Sequence, residues 1–216
     1  MKHIAKLAVI AAAIAVLGSA NASTIELQTG FSGAGAQATA NDYRSVVDAA
    51  VATSSAGYGH ATIANYDNIS NQSLFGSASN IAFKSTILFG VTAGQTGNWS
   101  FRAGVDFGGG GAVFLDGHAV DFHNNDMWWA GSYANPTQSF QFSSNIGAGN
   151  HTLAIYGLEG CCDGGQQVQF NSGSGFQSFN NQTLPPVPEP ETYAMLLAGL
   201  GLVGLIGRRK KAQKLA

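Results

Sequence analysis

The chain has 216 residues, 45% of them hydrophobic and only 10% charged, with 10 Lys and Arg against 12 Asp and Glu for a net charge of −2. The balance is uneven: between residues 23 and 184 the only cations are Arg44, Lys84 and Arg102, against ten carboxylates, which makes this stretch −7. An acidic domain repels phosphate backbones, which sets nucleic acid aside as a partner and leaves neutral sugars and divalent cations open.

In chain order, Lys2 and Lys6 precede an apolar run over 7–17 and then Gly18-Ser19-Ala20-Asn21-Ala22. A basic start, a short apolar stretch and small residues at the cleavage positions predict a signal peptide over 1–22, cut by signal peptidase after Ala22. The run is shorter than the roughly 17 to 25 residues that a membrane span needs.

Residues 23–184 suit one domain with a single core. They are written largely in period two, the mark of strands with one buried face. Ile81, Phe83, Ile87, Phe89 and Val91 share one parity, and so do Trp99, Phe101, Ala103, Val105 and Phe107. Shorter strands are predicted at 25–27, 60–65, 112–115, 139–143, 151–158 and 166–170, separated by Gly, Asn and Ser clusters. Gly108 to Gly111 reads as the connection of a hairpin with arms 99–107 and 112–115. One segment departs from the pattern: Tyr43, Val46, Val47, Ala50 and Val51 have helical spacing behind a cap at Asn41 or Asp42. The expected fold is therefore all-β, an antiparallel sandwich of the jelly-roll or a related type with one short helix packed on it.

A Pro-rich stalk over 185–192 follows, containing Pro188-Glu189-Pro190. Residues 193–207 are predicted to form an apolar helix, and 208–216 hold Arg208, Arg209, Lys210, Lys211 and Lys214. Fifteen helical residues reach about 22 Å, against a hydrocarbon core of ~30 Å. The basic tail stays in the cytoplasm, so the rest lies outside, in agreement with the signal peptide. Gly199 to Gly204 also fits a dinucleotide-binding pattern, but it lacks the preceding strand that such a site requires. The Pro-Glu-Pro run, the helix and the basic tail together resemble the PEP-CTERM sorting signal of Gram-negative bacteria. The resemblance implies processing by an exosortase-type membrane protease and association with exopolysaccharide or biofilm.

Residues around 98–170 resemble the protective-antigen-type β-sandwich, on the strength of Trp99 and Phe101, the Asp116-Gly117 turn, Trp128-Trp129 and the turn Ala148-Gly149-Asn150-His151-Thr152. Many members bind carbohydrate, and calcium-dependent adhesins among them use two adjacent aspartates; only Asp106 stands near the matching place. The expected contacts are Asp106, Asp116, Trp129 and Asp163. Adjacent strand residues face opposite sides, so one of Trp128 and Trp129 is core and the other available.

Cys161 and Cys162 are the only cysteines and stand side by side before Asp163-Gly164. Export makes a disulfide the expected state, either a vicinal ring between them or a cross-link between chains. A zinc site is disfavoured, since structural zinc takes four ligands. The motif, with the C-terminal signal, resembles the CCXG family of PEP-CTERM proteins. No nucleophile elbow, metalloprotease helix, phosphate loop or calcium loop occurs, so no cofactor, metal or enzymatic activity is expected. The leading expectation is a non-catalytic, exopolysaccharide-associated surface or matrix protein. Its rivals are a self-associating structural protein and a secreted glycan hydrolase built from dispersed carboxylates.

The sorting segment gives a direct expectation: intact-mass measurement of mature protein from an exosortase-bearing host should find Arg208 to Lys214 removed. Substituting Pro188→Ala with Glu189→Ala should leave the tail attached and the protein in the membrane fraction.

Overall fold

The structure, a computed structural model, describes residues 23–181, 198–201 and 203. The signal peptide with Ala22, the stalk with Pro188, Glu189 and Pro190, and the basic tail lie outside the described residues, as does most of helix 193–207. Residues 198–201 and 203 are helical. Among the described residues no helix is long and apolar enough to cross a membrane.

The strands, in chain order, are β1 (Thr24–Phe31), β2 (His60–Thr62), β3 (Ser79–Val91), β4 (Gly97–Gly104), β5 (Asp106–Phe107), β6 (Gly111–Leu115), β7 (His118–His123), β8 (Met127–Trp128), β9 (Ser139–Ile146), β10 (Gly149–Cys161), β11 (Gln167–Asn171) and β12 (Gln177–Ser178). The helices are α1 (Ala40–Val51) and α2 (Asn71–Phe75). Six strands form one sheet in the order β2-β1-β3-β10-β6-β7, four form a second in the order β12-β11-β4-β9, and β5 pairs with β8 alone. The pairings are antiparallel throughout. The expected all-β sandwich is the observed architecture.

Alternation places the core. Ile81, Phe83, Ile87, Phe89 and Val91 of β3, with Leu153 and Ile155 of β10 and Val113 and Leu115 of β6, face Trp99, Phe101, Val168 and Phe170 across the gap. Aromatic rings fill it: Trp99 stacks on Phe170 at 5.3 Å between centroids, and Phe170 meets Phe179 at 4.7 Å. Each such ring, fully buried, contributes about 1.5–3 kcal/mol. Polar groups that share this interior are paired: the Tyr66 hydroxyl meets the Ser85 hydroxyl at 2.6 Å and donates to Gln166 Oε1 at 3.2 Å.

The even-numbered face of the six-stranded sheet is covered by α1, where Ala40, Tyr43 and Val47 pack on Ala82, Ala112, Phe114, Tyr156 and Leu158. The helix begins at a cap two or three residues earlier than expected: Thr39, not Asn41 or Asp42, accepts from the Asp42 amide at 3.2 Å. Lys84 fixes the helix flank by pairing with Asp48 at 2.8 Å.

Three expectations are corrected. Segments 99–107 and 112–115 are not a hairpin, because β4 lies in the four-stranded sheet and β6 in the six-stranded one. The chain leaves β4 at Gly104, forms β5, and crosses through the glycines to the other layer. A second helix, α2, is present; with five residues it is too short to show a period. Strand β2 stops at Thr62, short of Asn65, while β7, β8 and β12 come in addition to the predicted strands.

Phe107 supplies a test of this packing. A methyl group on Gly157 would meet Phe107 ring carbons at 2.1, 2.2 and 2.4 Å. Gly157→Ala should therefore cost about 1–3 kcal/mol, and the thermal midpoint should fall by about 2–4 °C for each of these. An unchanged midpoint would mean that Phe107 is free to move aside.

Candidate functional site

The two-residue ribbon of β5 and β8 sets the site. Asp106 lies opposite Trp128 and Phe107 opposite Met127, and directly opposed residues project to the same face. Phe107 and Met127 are fully buried, so Asp106 and Trp128 face outward. Trp128 is 67% exposed. Asp126, two residues before it and also exposed, lies beside the same cleft. The cleft has a volume of about 740 Å³ and is closed on its other sides by the 32–36 loop, Glu159 and the two cysteines. A smaller hollow of about 380 Å³, bordered by Asp67, Trp129 and Gly164, shares Asp106 and Trp128 with it. The ribbon is the wall between the two.

Strand β10 ends at this wall, and three carboxylates hold the loop that follows. Glu159 accepts from the Gly108 amide at 2.5 Å and from the Cys161 amide at 2.6 Å. Asp163 accepts from the Gln72 amide at 2.6 Å, so it sits at the start of α2. Asp106 accepts from the Gly164 amide; a Cβ at Gly164 would lie 2.5 Å from Asp106 Oδ2, so only glycine lets the carboxylate this close. Cys161 and Cys162 are bonded to each other, both exposed, with Cys162 at φ +76°. Ala78 O receives the amides of Cys162 and Asp163 at 2.8 and 3.2 Å and holds that left-handed turn.

Clustering acids in partial burial moves their equilibria. Burial pushes the Asp163 carboxyl up to about 6, aided by the charge of Glu159. Burial also raises Asp106 and Glu159; hydrogen bonds from amides oppose this, and neighbouring carboxylates add to it. Among the described residues, no three His, Cys, Asp or Glu side chains converge as a metal ion would require.

The structure separates the residues singled out in the sequence. Asp106, Cys161 and Cys162 line the cleft, and Asp163 lies buried behind it. Asp116 is elsewhere. It occupies the β6–β7 turn at φ +50°, bonded to His151 Nδ1 and to the Thr152 amide, each at 2.8 Å. Thr152 and Cys161 are nine residues apart on β10, so this turn is roughly 30 Å from the cleft. Trp129 is half-buried, its ring where a Gly104 side chain would be and 5.2 Å from Tyr133, with its Nε1 shielded from solvent. The exposed indole is thus that of Trp128, where Trp129 had been expected. Parity carried the signal: Met127 and Trp129 share one side and Trp128 takes the other. Asp126, Glu159 and the 32–36 loop enter only through tertiary contacts.

Solved structures of the protective-antigen type, known as PA14 domains, are similar in fold. The PA14 domain of the antifreeze protein MpAFP aligns with a TM-score of 0.48 at 13% identity, covering 78% of this chain and 94% of that one. The PA14 sugar-binding domain of an RTX adhesin gives 0.46 at 14% identity, covering 77% and 100%. A subtype-switched epithelial adhesin 9 A domain from Candida glabrata, in complex with β-lactose, gives 0.45 at 9%, covering 74% and 87%. All lie below a TM-score of 0.5, so the functional reading rests on the cleft's own residues. No curated protein matches the sequence. A protein-sorting family model matches at the other end of the chain. Residues 186–211 are a PEP-CTERM protein-sorting motif. That motif marks the chain for export, transient membrane anchoring and exosortase processing before surface display.

The carboxylate behind the cleft predicts an acid-stabilised domain. The Asp163 pKa of about 6 in the fold lies above its ordinary value of 3.8, so the folded state binds a proton that the unfolded chain releases between these values. The stabilisation is complete below the lower value and is lost as pH rises through the upper one. Asp163→Asn keeps an oxygen to accept from Gln72 and carries no charge. In thermal melts from pH 4 to 8 its midpoint should fall less with rising pH than that of the parent, and equal slopes would overturn the assignment.

Proposed function

We propose that the chain is an exosortase-processed surface or extracellular-matrix protein whose sandwich is a non-catalytic module, binding exopolysaccharide in the cleft beside Trp128. One observation carries this: a 67% exposed indole stands over a concave acidic site on a ribbon whose opposite face is anchored in the core. Such an indole stacks on the apolar face of a pyranose ring, while the carboxylates of Asp106 and Asp126 accept from its hydroxyls. On this reading signal peptidase removes 1–22 and residues 23–184 are the binding domain. The stalk 185–192 presents the sorting motif, helix 193–207 holds the precursor in the inner membrane of a Gram-negative cell, and tail 208–216 is left inside.

Asp106 and Asp126 also support a second reading, a glycan hydrolase, because two carboxyl groups beside one cleft are the minimum for glycoside hydrolysis. Glu159 also lines the cleft, with each of its oxygens holding one amide, of Gly108 and of Cys161.

Applying the exported protein to a glycan array, with an assay for released reducing ends, tests both. Retention without release supports the binding module, and release moves support to the hydrolase. No retention, with concentration-dependent self-association, leaves the structural matrix role. Trp128→Ala should weaken retention roughly tenfold, equivalent to about 1.4 kcal/mol, with its melting temperature unchanged. Trp129→Ala should instead lower the melting temperature, because that ring packs on Gly104.

A further inference from the structure

The cleft is charged in one sense only. Asp106, Asp126 and Glu159 line it without a Lys or Arg, and Asp67 and Asp106 border the adjoining hollow in the same way. The three cations among the described residues are all committed elsewhere. Arg44 lies over Phe114 and donates to Asn41, on the helix side of the six-stranded sheet. Lys84 pairs with Asp48. Arg102 is sandwiched between Tyr133 and Phe176, at 4.0 and 3.9 Å from the ring centres, and donates from Nε to Gln169. Among the described residues, no Lys or Arg is left to neutralise the cleft.

The two carboxylates beside Trp128 differ in what they have to offer. Asp106 already accepts the Gly164 amide but is only partly buried, while Asp126 is exposed at the cleft mouth. Hydroxyl groups of a neutral sugar can donate to both, yet they leave the mutual repulsion of the acids in place. A positively charged group between Asp106 and Asp126 removes it. The face of Trp128 adds to the preference, since the indole quadrupole attracts a cation placed over the ring. With hollows on both sides of the ribbon, the ligand extends past one ring.

Resting on the glycan-binding reading, we propose that the ligand is an amino-sugar polymer with free ammonium groups, held by Asp106 and Asp126 against Trp128. N-acetylation, which turns the ammonium into a neutral amide, removes the recognised feature while keeping the ring and its hydroxyls.

The test is calorimetric titration of the exported protein, in the presence of a chelator, with three β-1,4-linked hexasaccharides: of glucosamine, of N-acetylglucosamine and of glucose. The glucosamine hexamer should bind about tenfold more tightly than the other two, and this advantage should shrink as salt is raised to about 0.5 M. Asp126→Asn should remove most of the advantage without shifting the melting temperature, because that carboxylate is exposed. Equal affinity for the N-acetylated or the glucose hexamer overturns the ammonium assignment and leaves the glycan-binding reading standing. Binding of a neutral hexamer that appears only when calcium replaces the chelator overturns it as well. If none of the three binds and a broad glycan array is also blank, both readings fall together.

Discussion

Phe107 fits between the sheets only because two glycines leave it room. Its ring lies over Gly157 in the central strand β10 and beside Gly111 at the start of β6, where a Cβ would come within 2.1 and 3.0 Å of it. Once that ring is seated with Met127, the orientation of the ribbon is decided. Antiparallel pairing then turns Asp106 and Trp128 to solvent, because residues that face each other across a ladder must share a side. An exposed indole is an ordinary cost for a surface; here it is the geometric consequence of a buried phenyl on the neighbouring residue.

The acids around the cleft serve the backbone first. Glu159 and Asp163 together receive the amides of Gly108, Cys161 and Gln72, and so tie the end of β10 to the crossing glycines and to α2. Ionised acceptors make stronger hydrogen bonds than neutral ones. Because the same groups are partly desolvated and near one another, their charged forms are disfavoured. Rigidity of the cysteine loop and acidity of the cleft therefore come from the same side chains.

Much of the sandwich was legible because period two is enforced wherever one face is dry. The odd residues of 81–91 and of 99–103 named their own buried sides, and the spacing of Tyr43, Val47 and Val51 named the helix. The passage from β4 to β5 was hidden, since Val105 and Phe107 keep the parity of Trp99 while the chain changes partners. Asp116 announced itself as a turn residue through the glycine after it, but its expected place among the ligand contacts fails because only the register of β10 shows that its turn lies at the opposite end from the cleft. Asp163 could not announce its role: its partner, the Gln72 amide, is 91 residues away. Choosing Trp128 over Trp129 needed only the parity of Met127, but that needed in turn the knowledge that Met127 is core.

The long central pair β3 and β10 has a kinetic side. Their registered residues run from Gly149 with Val91 to Cys161 with Ser79, 58 to 82 positions apart along the chain. β10 also joins β6 to the rest of the six-stranded sheet. Contacts of such separation close slowly, because the loop entropy is lost before the pairing energy is gained. The six-stranded sheet cannot be completed until residue 161 has been made, so a chain threaded across a membrane during its synthesis would arrive with its principal layer still open.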